Sequence, residues 1–236
     1  MEGLRIILTA YTASFRVPGF VGHQLTLPVP PLSTIYGLLS AATGRWVSPD
    51  EVEWFAYRCD YEGKGTDLEA ILTVERPRSA ESARFVGRNV LHREFLVSPQ
   101  LILYLPLEWE GYFRRPRYAL LLGRTQDVAS VYSIEITTLQ PVSDGEMNGV
   151  LLPLEIILQN NVQAWLHNLP IAFTNEPQRR LLGLKVFGVL DSKRRPATVY
   201  ALNWLVKDTA NGLIVPLYRW EWIVNVLHRP ISKESR

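Results

Sequence analysis

The chain has 236 residues, 47% hydrophobic and 20% charged, with a formal net charge of +2, which is enough apolar side chain for one large domain or two small ones with a real core. A single cysteine, Cys59, excludes an internal disulfide and any cysteine-rich metal site. No apolar run approaches the ~20 residues of a membrane span and no basic segment precedes a signal-peptide core, so the expectation is a cytoplasmic protein with no membrane contact.

Along residues 4–12, Leu4, Ile6, Leu8 and Ala10 alternate with Arg5, Ile7, Thr9 and Tyr11, the period-two pattern of a strand with one face in a core. The run 15–45 follows. Pro28, Pro30 and Pro31 fix their own φ and push the residues before them toward extended conformations, so a helix starts no earlier than Leu32 or Ser33. Ser33 and Thr34 stand where a helix start favours hydroxyls. Leu32, Ile35, Leu38, Leu39 and Ala42 recur at helical spacing as a core stripe, and Gly44 supplies the stop. Ser33, Gly37, Ala41 and Gly44 fall on another face. A helix-interior glycine costs roughly 1 kcal/mol against alanine, which suggests a close approach at Gly37. Two readings of that face stay open: free N–H groups and the helix dipole hold an anion such as a phosphate, or the small side chains pack on a neighbouring strand.

Ser48-Pro49-Asp50-Glu51 reads as a capping box with proline at the first helical position, leading a short helix through Val52, Phe55, Ala56 and Cys59, with Cys59 in a helix-packing role. Gly63-Lys64-Gly65 ends that unit. Residues 68–74 alternate again, with Leu68, Ala70, Leu72 and Val74 opposing Glu69, Ile71 and Thr73, and predict a second strand. The arginine-rich 76–93 lacks a continuous hydrophobic face and is expected to project as a loop or ribbon. Residues 99–105 read as a buried strand, 108–118 as a short helix broken at Pro116, and 128–139 as a strand rich in β-branched residues. The order β-α-β-β-α-β is the ferredoxin-like arrangement of an α+β protein. A polar turn at 144–149 marks a boundary. Beyond it, short apolar runs near Val150, Leu169, Leu181, Val199, Leu213 and Trp220 predict a mostly β remainder ending in a frayed tail at 231–236.

Arginine outnumbers lysine 20 to 5, and nine arginines stand between Arg76 and Arg124 against four acids, whereas 50–69 carries seven acids against Arg58 and Lys64. A guanidinium grips phosphate at two points and stacks on bases, so this clustering points to RNA. There is no Gly-rich phosphate loop, no His-Glu-x-x-His and no Cys-x-x-Cys, and neither cofactor nor metal is expected. RNA cleavage without metal needs a base for the 2′-hydroxyl and an acid for the leaving oxygen. His23 and His92 are the candidates, ahead of His167 and His228, although lone histidines more often serve structure or contact phosphate.

Phe15, Pro18, the stretch 24–31 and Ser33-Thr34-Ile35-Tyr36-Gly37-Leu38-Leu39 carry a resemblance. With His92-Arg93-Glu94-Phe95-Leu96 and Tyr118-Ala119-Leu120-Leu121-Leu122-Gly123-Arg124-Thr125-Gln126-Asp127, in the same order and spacing, the first 140 or so residues resemble the Cas-five family. These are CRISPR-associated proteins of the RAMP superfamily, and the pattern is nearest to subtype I-B variants. The resemblance implies an RRM-like, ferredoxin-like palm over 1–145, an arched β thumb inserted at about 76–94, and a mostly β region over 146–236 packed on the palm. It implies a non-catalytic RNA-binding subunit that caps the 5′ handle of CRISPR RNA in a type I Cascade-type effector complex for RNA-guided DNA targeting. Its partners would be CRISPR RNA, the repeating backbone subunit beside the thumb, and the large subunit that inspects target DNA.

On that resemblance Ser33, Thr34 and Gly37 hold the handle backbone, and Arg84, Arg88 and Arg93 supply phosphate contacts. Arg16, Arg114, Arg115, Arg117 and Arg124 line the path, and His23, Gln24 and His92 touch RNA. Tyr36 and Phe85 stack on bases, and Gln126 reads a base edge. Lys193-Arg194-Arg195 stays open between RNA contact and ordinary solvation, and Trp204, Trp220 and Trp222 read as core or subunit-interface residues. Subtype I-C relatives cut repeat RNA with a tyrosine, a lysine and an adjacent histidine. Here Leu91-His92-Arg93 offers an arginine, which keeps its proton, and only Gly183 and Gly188 stand where RNA-cutting RAMP proteins carry a dense glycine loop. A metal-independent endoribonuclease is therefore the second expectation, and a protein-only structural adaptor the third.

Overall fold

The computed structural model describes residues 1–20, 22–75, 84–219 and 221, so the part of the expected projection at 76–83, Trp220, Trp222, His228 and the expected tail at 231–236 lie outside the described residues. The elements run β1 (Glu2–Ala10), α1 (Leu32–Thr43), β2 (Trp54–Asp60), β3 (Gly63–Glu75), β4 (Arg84–Val97), β5 (Gln100–Leu105), α2 (Glu110–Arg114), β6 (Val128–Met147), β7 (Val150–Pro153), α3 (Leu154–Gln159), β8 (Trp165–Pro170), β9 (Leu184–Leu190), β10 (Ala197–Asp208) and β11 (Ile214–Arg219). Two-residue strand pieces also occur in the 12–27 loop and at Leu120–Leu121. The protein is α+β and mostly sheet.

The central strands lie in the order β6-β1-β5-β2, each neighbour antiparallel. β11 pairs with β2, β10 with β11, and β10 returns to the far half of β6, so the pairings close into a ring. Two strands change partner midway. β6 pairs with β1 over 129–138 and with β10 over 139–147, while β11 pairs with β10 over 214–216 and with β2 over 217–219.

The core lies on both faces of this sheet. Leu4, Ile6 and Leu8 pack with the predicted stripe of α1, Leu32, Ile35, Leu38, Leu39 and Ala42, whereas Ala56 and Tyr104 pack with Val150, Leu152, Val199 and Leu205 of the C-terminal strands. Each fully buried leucine or isoleucine contributes about 1.5–3 kcal/mol, so the stripe is a principal term holding α1 to the sheet. Asp208, fully buried, accepts hydrogen bonds from Arg5 (2.9 Å), the Tyr104 hydroxyl (3.0 Å) and the Thr137 hydroxyl (2.5 Å), joining β1, β5, β6 and β10. Burial opposes its ionisation. The hydrogen bonds from Thr137, the Ala210 N–H, Tyr104 and Arg5 outweigh that and hold the carboxyl below its ordinary value.

Several expectations are corrected. The capping box at Ser48 and Glu51 forms, but it closes a single 3-10 turn, Pro49–Glu51, and residues 54–60 are strand rather than helix. Trp54 and Ala56 enter one cluster while Phe55, Tyr57 and Cys59 enter the other. A strand buried on both faces has no polar alternation to read, and its apolar run passed for helical spacing. Cys59 is thus a strand core residue, and burial pushes its thiol up to about 12.

Residues 68–74 are strand, but not core strand. They belong to β3, which pairs with β4 from Gly63 to Glu75 in a two-stranded ribbon that leaves Leu68, Leu72, Val74, Phe85 and Val90 exposed. Gly63-Lys64-Gly65 opens this ribbon instead of ending a unit. Arg84 to Arg93 therefore do project, as ribbon rather than loop. The turn at 144–149 shrinks to Asn148 and Gly149 because 144–147 continue β6. Among the described residues no helix is long and apolar enough to cross a membrane, and no group of three His, Cys, Asp or Glu gathers around a metal-sized site.

Candidate functional site

The proline segment before α1 is buried, and the Tyr57 hydroxyl donates to the Pro30 carbonyl at 2.8 Å, which fixes where the helix begins. Pro31 is the extended N-cap, and no side chain caps the first turn. The other end is sealed. Gly44, at φ +77°, donates to the Ser40 carbonyl, and the Arg117 and Tyr118 N–H groups donate to the Ala42 and Ala41 carbonyls at 3.0 Å each. The positive end of the helix dipole is the end left open.

Gly37 is exposed, and a Cβ built on it would meet nothing within 4 Å, so the face is open there, while at Gly44 the Arg117 side chain occupies the space a Cβ would take. It fronts a cavity of about 650 Å³ bounded by Arg45, Trp46 and the chain around Phe173 to Arg179. A second cavity of about 590 Å³ extends from the helix start toward Ser14, Arg16, Arg93 and Arg124, and Ser33, Thr34, Gly123 and Phe173 line both. The cationic rim comprises Arg16, Arg45, which pairs with Glu51 at 2.6 Å, and Arg179, which lies 5.1 Å from the Trp46 ring centre.

Arg93 and Arg124 are held by carboxylates. Arg124 donates to Asp127 at 3.0 Å through both Nε and Nη2, and to Glu69 at 2.9 Å and Asp67 at 3.4 Å through Nη1. Arg93 Nε donates to Glu69 at 2.7 Å. Burial raises the Glu69 carboxyl, but Arg124 and Arg93 pull it below its ordinary value. These bonds staple the ribbon base to the 122–127 loop. That loop is seated by Gly123, whose φ is +114° and whose missing Cβ would lie 2.0 Å from the Ser14 carbonyl oxygen.

Gln24 is buried and its amide donates to the Val17 carbonyl at 3.1 Å, so it shapes the loop. Tyr36, expected to stack on a base, is buried, its ring edge-on against Phe55 with centroids 5.5 Å apart. His23 and His92 face each other across paired residues, exposed, with ring centroids 5.9 Å apart and planes 10° from parallel. Gln126 is exposed on its loop and Arg115 beyond α2, while Arg114 pairs with Glu110. The structure thus gathers Arg16, Ser33, Thr34, Gly37, Arg93 and Arg124 around the cavities. Arg84, Phe85 and Arg88 stand out along the exposed ribbon, Arg84 about 30 Å from Arg93 at strand rise. Sequence reading missed Arg45, Trp46, Phe173, Asn175 and Arg179. The first two directly follow the helix stop and were within reach of it, whereas the others arrive from a distant loop that carries no local pattern.

No family model matches the chain, and no curated protein sequence matches it either. The overall fold is similar to that of solved structures. One is a chain of a CRISPR RNA-guided surveillance complex, with a TM-score of 0.51 and 16% identity over 96% of this chain and 100% of that one. The chain is also similar to a CRISPR protein from Archaeoglobus fulgidus, with TM-score 0.46 and 11% identity over 93% of this chain and 100% of that one. A chain of the type III-B Cmr-beta complex bound to cognate target RNA and AMPPnP gives TM-score 0.48 and 9% identity, covering 97% and 90%. The likeness to the surveillance-complex chain is one of fold.

Proposed function

We propose that this chain is a RAMP protein of the Cas-five type, the subunit that caps the 5′ handle of CRISPR RNA in a type I effector complex of subtype I-B. The order β6-β1-β5-β2, with α1 leading from β1 to β2 and α2 from β5 to β6, supports a ferredoxin-like palm, and the β3–β4 ribbon inserted between β2 and β5 occupies the place of the thumb. The observation that carries the reading is the uncapped start and open small-residue face of α1 beside two cavities with an arginine rim. Phosphate oxygens accept from the free N–H groups and from the Ser33 and Thr34 hydroxyls, Gly37 lets the RNA backbone approach, and Arg16, Arg45 and Arg179 balance its charge. The ribbon lies across the guide with Arg84 and Arg88 on phosphates and Phe85 free to stack. Its exposed apolar residues meet the repeating backbone subunit, and the large subunit docks nearby.

Fluorescence anisotropy with a repeat-derived 5′-handle RNA tests this. Gly37→Glu is expected to weaken binding at least tenfold with its urea unfolding curve intact, and full affinity in that variant overturns the assignment of the α1 face. In the double variant Arg84→Ala/Arg88→Ala, the slope of log Kd against log salt falls by about 0.7 per lost contact; an unchanged slope removes the ribbon arginines from the interface.

The stacked His23 and His92 support a second reading, a metal-independent endoribonuclease with one imidazole as base and the other as acid. A discrete product from repeat RNA in chelator, abolished by His92→Ala, favours the enzyme. Intact RNA at high protein excess favours the binding subunit.

A further inference from the structure

Trp165, the first residue of β8, is 47% exposed, and its ring is flanked by the Arg194 guanidinium at 5.2 Å and by Lys64 Nζ at 5.9 Å from the centroid. It opens on a cleft of about 520 Å³ that Gln163, Arg194, Arg195 and Pro196 also line. The turn that presents the arginines is rigidly held. The Lys193 N–H donates to the Asp191 carboxylate (3.0 Å), the Arg194 N–H donates to the Asp191 carbonyl (3.1 Å), and Asn148 Nδ2 donates to the Ser192 and Arg194 carbonyls (3.0 and 3.1 Å). The Tyr61 hydroxyl donates to the Asp191 carboxylate at 2.9 Å, so the acid in the cleft is engaged. Lys193 pairs with Asp60 at 3.2 Å, whereas Arg194 and Arg195 are exposed and pair with no acid among the described residues.

We propose that this cleft is a second nucleotide site, in which Trp165 stacks on one base of a single-stranded RNA and Arg194 and Arg195 hold the adjoining phosphate. It rests on the RNA-binding reading above and extends it to the C-terminal strands. The chemistry fits. A ring steadied by cations and a turn locked by its own hydrogen bonds lose little freedom when a ligand arrives, and base stacking combined with cationic contact to the backbone is the recurring mode of single-strand binding. The position fits as well. β8 runs from Trp165 to Pro170, about 17 Å at strand rise, and Pro170 lines the cavity at the α1 start. One RNA strand laid along β8 reaches both sites.

The test uses the full chain and a single-stranded RNA that extends the handle into guide sequence. Trp165→Leu is expected to weaken binding about fivefold or more and Trp165→Phe to retain most of it. Arg194→Ala/Arg195→Ala lowers the salt slope by about 0.7 per contact. Photo-cross-linking of thiouridine-substituted RNA is expected to label a peptide containing Trp165. If Gly37→Glu abolishes binding while all three variants match the parent in affinity, slope and cross-links, this inference fails and the α1 site stands. If the parent binds no RNA, both fail. A bound protein lost with Trp165→Leu while RNA affinity is unchanged replaces this proposal with a protein-docking surface.

Discussion

Gly37 lies inside α1 with open space where a side chain would sit, so no neighbour in the fold requires a glycine there. Replacing it by alanine is expected to raise stability by roughly 0.5–1 kcal/mol in urea denaturation, because the unfolded chain loses freedom and no contact is crowded. The same substitution narrows the approach to the helix backbone, so under the proposed function handle RNA is expected to bind more weakly to the more stable protein; equal affinity in the two proteins takes the face out of the interface. Gly123 behaves in the opposite sense. With φ at +114° and the Ser14 carbonyl 2.0 Å from any Cβ, Gly123→Ala is expected to cost about 3 kcal/mol or more by the same measurement. The sequence shows both glycines but not their reasons. Gly37 stood open between ligand and packing until its surroundings were known, and the constraint on Gly123 comes from a residue more than a hundred positions earlier.

The ribbon of β3 and β4 is the element whose sequence pattern misleads. Leu68, Ala70, Leu72 and Val74 alternate as a core strand does, yet they face solvent, because they pair with residues 85–92 of β4, none of which is buried. A two-stranded ribbon is marginal in water without support; at its base β4 also pairs with residues 12–13 and 23–24 and buries Leu96, and the carboxylate–arginine group adds to that support. Arg124 is 10% exposed and Asp127 fully buried, so Arg124→Ala leaves a buried carboxylate without its cation and is expected to cost about 3–5 kcal/mol. Hydrogen exchange checks the local consequence, with ribbon amides in that variant exchanging faster while those of β1 and β5 change less. Asp208 does comparable work among four strands, and its folded carboxyl is held below the ~3.9 of an unfolded aspartate. The stability it supplies is complete above the unfolded value and drains away as pH falls through the lowered folded one. Urea midpoints measured from pH 7 to 2 are therefore expected to fall on the acid side, and to fall less steeply in Asp208→Asn. Equal acid limbs in the two proteins would remove Asp208 as the cause.

At the scale of the molecule, the readable parts are those set by near neighbours along the chain: β1, α1 with its stripe and glycine stop, β5, α2 and the onset of β6. Unreadable were the pairings that close the ring, since β11 meets β2 across more than 150 intervening residues and no local period announces it. The cavities were half readable for the same reason, one wall coming from α1 and the other from a loop far downstream. Deleting β11 is expected to give a chain that elutes as aggregate in size-exclusion chromatography, because β2 and β10 are then left with bare edges. Synthesis imposes the same hazard for a time. Ribosomes deliver residue 60 long before residue 219, so a growing polypeptide carries the naked flank of β2 through most of its production, an interval in which that unpaired flank invites wrong partners.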